Sequence, residues 1–181
     1  MDERILPTPE KIRELLRYDP VTGMLYWIRR NLCDFSSDNA YGTWNARYSG
    51  KEAFTSTNQA GYKVGAIFNK KYYAHRVGWA IYYGEWPKSE IDHINGEKND
   101  NRICNLRLAT GSQNRMNSRM RSDNSSGLKG ASYLERDRVW SSSIGVMGKI
   151  IRIGLFSSAE DAHEAYCKAA MTYHGEFART E

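Results

Sequence analysis

Short segments cut by turn residues dominate this chain, and they limit what it can fold into. From about Tyr41 to Tyr73 it runs in aromatic, glycine-punctuated stretches such as GYKVGAIF and KKYYA, which predict hairpin strands because aromatic and β-branched residues suit a pleated, half-buried surface. The pattern returns in GASYLERDRVWSSSIGVMGKIIRIGLF, three short strands with turns at Arg136 to Arg138 and at Gly148-Lys149. Asp19-Pro20 and Thr22-Gly23 make a turn into a further strand, MLYWIRR. Helices fall between these pieces. Thr8-Pro9 before EKIRELLRY reads as an N-cap, a proline at the first helical position and a short amphipathic helix. AHRVGWAIYYG is a second, stopped at Gly84 with Pro87 beyond. SSAEDAHEAYCKAAMTYHGEF is a third, capped by Ser157 or Ser158 and ended by Gly175, with Ala159, Ala162, Tyr166, Ala169, Ala170 and Tyr173 on one stripe. The expected class is α+β, a small modular chain. Its 181 residues suffice for one ordinary domain or two or three very small ones, not for a large enzyme barrel.

No apolar run approaches the roughly 18 to 20 residues that cross a bilayer, and MDERILPTPEK is charged where a signal peptide is apolar. The expectation is a soluble protein that is not exported. Cys33, Cys104 and Cys167 are odd in number, far apart and without a C-x-x-C pair, which argues against a disulfide framework and a cysteine zinc site and fits a reducing cytoplasm. The net charge of +5 is unevenly spread: residues 1–60 carry 8 basic and 8 acidic side chains, 61–127 carry 11 and 6, and 128–181 carry 7 and 7. The whole excess lies in the middle. There Arg107 to Arg121 holds four arginines and no acid, a footprint suited to a polyanion such as DNA.

The same stretch carries the chemistry. EIDHINGEKNDNRICNLRLATGSQNRMNSRM reads as a strand end at Ile91 to Ile94, a polar loop from Asn95 to Arg102, a short strand around Leu106 to Leu108 and a helix from about Ser112. Asp92, His93, Asn105 and Asn114 lie within 23 residues. A phosphodiester hydrolase needs a hard divalent cation on oxygen ligands and a base near neutral pKa to activate water. Histidine, with a reference pKa of about 6.5, is the obvious base. Asp92 supplies an anionic oxygen and Asn114 a neutral one, leaving room on Mg²⁺ for phosphate oxygens and water. In a regular strand Asp92 and His93 point to opposite faces, so the strand is expected to end or bulge there, as Asn95-Gly96 favours.

The motifs D-H-x-N-G at Asp92 to Gly96, D-N-R-x-x-N-L-R at Asp100 to Arg107 and S-Q-N-R at Ser112 to Arg115 resemble those of the HNH endonucleases of the ββα-metal class, especially phage and intron-associated homing enzymes. The resemblance implies that Asp92 and Asn114 hold one Mg²⁺ or Mn²⁺ ion per active site, that His93 is the general base, and that Asn105 braces the loop and the base. With no paired cysteines, the version without structural zinc is implied. Arg107, Arg115, Arg119 and Arg121, with Lys98 and Arg102 in the loop, are expected to contact phosphates, giving position and salt dependence more than sequence preference. His75, in AHRVGW, resembles a histidine common upstream in such enzymes and is expected to be structural; His163 and His174 are assigned no chemistry. Tyr18 to Trp27, Y-D-P-x-T-G-x-L-x-W, resembles the N-terminal region of phage HNH enzymes and says little about chemistry.

Residues 128 to 178 resemble the Apetala-two or ethylene-response-factor DNA-binding domain, three antiparallel strands backed by one helix. The resemblance rests on K-G-A-S-Y at Lys129 to Tyr133, Trp140, I-R-I-G-L-F at Ile151 to Phe156, S-S-A-E-D-A-x-x-A-Y at Ser157 to Tyr166 and H-G-E-F-A at His174 to Ala178. It implies a sheet laid in the major groove. By alternation Trp140, Ile144, Ile151 and Ile153 face the helix, and Ser141, Ser143, Ile150 and Arg152 face outward, with Arg136, Arg138 and Lys149 on the turns. Ser143 and Gly145 stand where many relatives carry arginine, which lowers the charge of that face.

Four parts are expected: an N-terminal helix-plus-strands module over 1–60, a candidate DNA contact, an HNH nuclease domain over 61–121, a linker over 122–127, and a DNA-binding domain over 128–181. Together they describe a divalent-metal-dependent homing endonuclease that hydrolyses double-stranded DNA to 5′-phosphate and 3′-hydroxyl ends. It acts without membrane or obligatory protein partner, in the cytoplasm of a phage host. The alternative is a non-catalytic, sequence-specific DNA-binding regulator with a decayed nuclease motif; the intact Asp92, His93 and Asn114 speak against it. No aromatic stacking motif supports a third reading, an RNA-directed enzyme.

Overall fold

A computed structural model describes residues 6–121 and 123–181, so residues 1–5 of the charged N-terminus and Ser122 at the head of the expected linker lie outside the described residues. The chain gathers into two units, residues 1–108 and 109–181.

In the first unit, Thr8 accepts the Lys11 N–H at 3.2 Å and Pro9 opens helix α1 (Pro9–Arg13). The helix is shorter than EKIRELLRY predicts, because strand β1 begins at Leu16 (Leu16–Asp19). Leu16 and Tyr18 are both buried there at strand spacing, and that packing outweighs their helical pattern. β1 pairs with β2 (Met24–Trp27), which pairs with β3 (Glu52–Ala53), all antiparallel.

Where hairpin strands are predicted from Tyr41, the chain instead forms helix α2 (Asp38–Tyr48), capped by Ser37 accepting the Ala40 N–H. Its aromatic side chains pack on one another at helical spacing, Trp44 against Tyr48 with centroids 5.3 Å apart, and not across a sheet.

Beyond it the predicted hairpin strands do form: β4 (Ser56–Thr57), β5 (Lys63–Ile67) and β6 (Lys70–Tyr73) make a sheet in that order. Phe68 and Asn69, both at positive φ, turn the β5–β6 hairpin. Helix α3 (Ala74–Tyr83) stops at left-handed Gly84, as expected. One apolar core joins Ile12, Leu15, Leu16, Tyr18 and Leu25 to Phe54, Ile67, Val77 and Ala80. β7 (Glu90–His93) and β8 (Leu106–Ala109) form a two-stranded sheet, with Ile91 and Leu106 packed on Trp79.

The second unit opens with α4 (Gly111–Met116), whose N-terminus is closed by a capping box between Thr110 and Gln113. Then come β9 (Ala131–Leu134), β10 (Val139–Val146) and β11 (Lys149–Phe156), an antiparallel sheet in the order β11-β10-β9, and α5 (Ala159–His174). Ser158 caps α5, and Ala162, Tyr166 and Ala170 are buried on it, the last two in a cluster with Ile144. Tyr173 is 50% exposed, off the predicted stripe, and His174 takes the buried position with Nε2 2.9 Å from the Gly145 carbonyl.

The predicted alternation along this sheet is interrupted. The register slips between Ser142 and Ser143, leaving Ile153 as an extra residue in β11, a bulge. Ser141 is buried, not outward and open, and Ile151, paired with Ile144, is still 37% exposed; Ile144 and Ile153 do pack toward the helix. Among the described residues no helix is long and apolar enough to cross a membrane.

Candidate active site

β7 carries Ile91, Asp92 and His93, all buried, and stops there: the Gly96 N–H donates to the His93 carbonyl at 2.7 Å, with Gly96 at positive φ. The expected strand end is thus present. Asp92 (3% exposed) and His93 (4%) take separate partners.

Arg107, from β8, donates from Nε (2.9 Å) and Nη2 (2.8 Å) to the same carboxylate oxygen of Asp92, Oδ2. Its side chain is 14% exposed, so it sits against a carboxylate inside the fold and not among surface cations. A guanidinium so placed offsets much of the cost of burying the carboxylate.

His93 Nε2 lies 3.0 Å from Asn101 Oδ1, a side chain only 2% exposed. An amide oxygen can only accept, so Nε2 carries the hydrogen and Nδ1 is the nitrogen with a lone pair to take a proton. Around the ring stand His75, edge-on at 5.1 Å between centroids, and Tyr62 at 5.9 Å. Burial lowers the His93 pKa, opposed by the bond to Asn101 and the charge of Asp92. His75, in the first turn of α3, is pushed down to about 3, chiefly by burial and then by His93 and Arg76. Its Nδ1 has no hydrogen-bond partner among the described residues, and its ring stacks on Tyr73 at 5.3 Å.

The loop between the strands is tied by side chains. Asn105 Oδ1 accepts the Asn95 N–H (3.0 Å) and its Nδ2 donates to the Asp100 carbonyl (2.8 Å). Asn95 Nδ2 donates to Asp100 (2.7 Å), and Arg102 holds the same carboxylate in a fork at 2.8 and 2.6 Å. That fork keeps the Asp100 pKa down at about 2. Asn105 therefore ties the loop, while the side chain on the imidazole is Asn101, which in the sequence looks like one more loop former. Lys98 donates to the Ala60 carbonyl at 3.0 Å, over the Tyr62 ring.

Asn114 lies in α4, its N–H donating to the Thr110 carbonyl at 2.9 Å. Arg115, Arg119 and Arg121 are exposed, the last paired with Asp123 at 2.8 Å. In the C-terminal sheet Arg138, Lys149 and Arg152 are exposed, Ser143 is half-buried, and Arg136 pairs with Asp137 at 3.0 Å. Among the described residues no group of three or more His, Cys, Asp and Glu side chains is arranged to hold a metal ion. A carboxylate and an amide are nevertheless hard oxygen donors of the kind that Mg²⁺ or Mn²⁺ takes, with waters filling the remaining positions.

The sequence model of the HNH endonuclease family matches residues 72–116, from β6 through α3, the β7–β8 pair and its loop to the end of α4. Protein 3.8 of Escherichia phage T7 is 32% identical over 106 residues, which cover 58% of this chain and 87% of that protein. No solved structure matches.

Proposed function

Since the chain belongs to the family of phage T7 protein 3.8 and carries an HNH endonuclease domain over residues 72–116, we propose that it is a divalent-metal-dependent DNA endonuclease of the homing type. Its products are 5′-phosphate and 3′-hydroxyl ends. The observation that carries this reading is the seat of His93, a buried imidazole at the end of β7 whose Nε2 is held by Asn101 so that Nδ1 is the proton acceptor.

In this reading His93 Nδ1 takes a proton from the attacking water as the oxygen approaches phosphorus. Burial keeps the ring neutral at pH 7, which a base requires. Asn105 holds the loop from Asn95 to Asp100 behind the base. Arg107 fixes the Asp92 carboxylate. Asp92 and Asn114 are the proposed ligands, a pairing that rests on the D-H-x-N-G and S-Q-N-R motifs. A bound divalent ion there would supply charge stabilisation at the phosphoryl and leaving 3′ oxygens. The exposed cations Lys98, Arg102, Arg115, Arg119 and Arg121, and in the C-terminal sheet Arg136, Arg138, Lys149 and Arg152 beside Ser143, are the proposed DNA contacts.

The test is nicking of supercoiled plasmid by the full chain with Mg²⁺ and with EDTA. Nicking is expected only with the metal, and His93→Ala is expected to lower it by about 10²- to 10⁴-fold with DNA binding retained. A His93→Ala variant that nicks at the wild-type rate removes the base from this residue; equal nicking in EDTA removes the metal from the reaction.

A further inference from the structure

The segment Tyr18 to Gly23 takes no part in the chemistry above, yet it meets the nuclease loop at three points. The Tyr18 hydroxyl donates to the Asn101 main-chain carbonyl at 2.6 Å, inside the core. Burial raises the Tyr18 pKa, so this phenol stays a donor. The Ile103 N–H donates to the Pro20 carbonyl at 3.1 Å. Gly23, at φ +72°, lies so close that a Cβ there would stand 2.4 Å from the Arg102 nitrogen and the Asn101 carbonyl carbon. Main chain on both sides leaves nothing flexible to yield. Tyr18 is itself seated, since Gly78 in α3 lacks the Cβ that would lie 2.8 Å from its ring.

Asn101 is thus held by its main chain from the hairpin while its side chain holds His93. A short polar side chain in a loop ordinarily samples several rotamers. Here it is 2% exposed, and its Nδ2 has no hydrogen-bond partner among the described residues. A buried, unpaired amide costs about 1–3 kcal/mol. Among the described residues its side chain bonds to the imidazole alone, so its placement serves His93 better than its own satisfaction.

We infer that Asn101, kept in place by the Tyr18 hydroxyl and the close-packed turn at Gly23, is a positioning residue that sets the tautomer and orientation of His93. The inference rests on the reading of His93 as the general base. It gives the Y-D-P-x-T-G segment a mechanistic role: the β1–β2 hairpin aims the imidazole through the Asn101 main chain.

The test combines steady-state nicking with ¹⁵N chemical shifts of the His93 ring in the uniformly labelled, metal-free full chain. Asn101→Ala is expected to lower kcat about 10- to 100-fold, the range for lost supporting bonds, with KM within about twofold, and to shift the ring from the Nε2–H tautomer toward a mixture. Tyr18→Phe keeps the ring in the core and removes only the hydroxyl; it is expected to move the same two readouts in the same direction by less. In the double variant Tyr18→Phe should add nothing to the kcat loss of Asn101→Ala, since both act through one contact. An unchanged tautomer in Asn101→Ala, with or without a loss of kcat, overturns the inference, as does full additivity in the double variant. His93→Ala is run alongside: persistent nicking there fails the reading of the base, whereas a dead His93→Ala with an unaltered Asn101→Ala fails this inference alone.

Discussion

His75 shows how much a single buried side chain can govern. Its imidazole is kept neutral, with a pKa of about 3 in the fold against about 6.5 in the unfolded chain. Between those values the unfolded chain binds more protons, so acid favours unfolding. The contribution is complete above about pH 6.5 and is lost as pH falls toward 3, with a limiting slope of about 1.4 kcal/mol per pH unit. Urea midpoints at pH 7, 5.5 and 4.5 should therefore fall more steeply for the wild type than for His75→Phe, and parallel curves would show that the ring titrates normally. At this scale the sequence was legible by residue type and opaque by partner. Asp92 and His93 stood out because a carboxylate next to an imidazole is a recognisable pair. Arg107 read as one of four exposed cations, since nothing in an arginine's neighbours along the chain reveals that its guanidinium will lie on a carboxylate 15 residues earlier. Asn101 was hidden among Asn95, Asp100 and Asn105 for the same reason.

The elements follow local rules where the segment has one dominant preference and depart from them where packing decides. α5, the hairpins from Lys63 and the β7–loop–β8 order were visible in caps, glycines and alternation. α2 was not, because its tyrosines and tryptophan favour strands on average, and the helix is fixed by the Ser37 cap and by Trp44 packing on Tyr48 and on Trp27 of β2. The bulge at Ser142/Ser143 was invisible too, since it depends on the register of two strands and on no residue alone. The hairpin turn offers a controlled comparison. Gly23 and Gly50 share a left-handed backbone, φ +72° and +76°, but a Cβ at Gly50 would meet nothing within 4 Å. Gly50→Ala should cost about 1 kcal/mol from the backbone alone. Gly23→Ala should cost on the order of 3 kcal/mol or more, because main chain must also move. Equal losses in chemical denaturation would mean that the turn does not bear on the loop.

For the whole molecule, the positive excess over residues 61–127 and the neutral C-terminal part suggest a division between strong, unspecific attachment and weaker, adjustable contact. Binding of duplex DNA should weaken with salt along a log–log line whose slope reports the phosphates engaged, about −0.9 per contact. If the C-terminal sheet joins in, Arg136→Ala and Lys149→Ala should each flatten that slope by about one, measured by fluorescence anisotropy across salt concentrations. Unaltered slopes would take the sheet out of the DNA interface.

The core that runs from Ile12 to Ala80 carries a consequence for inheritance. A loop whose main chain rests on a turn some eighty positions upstream, with Gly23 pressed against Arg102, is not a cassette that can be cut out and pasted elsewhere. Recombination that moved residues 72–116 without the β1–β2 hairpin would deliver the motif letters and leave behind what orients them. Such exchange should keep the imidazole oriented only when the breakpoint falls ahead of Tyr18, so that the hairpin travels with the loop.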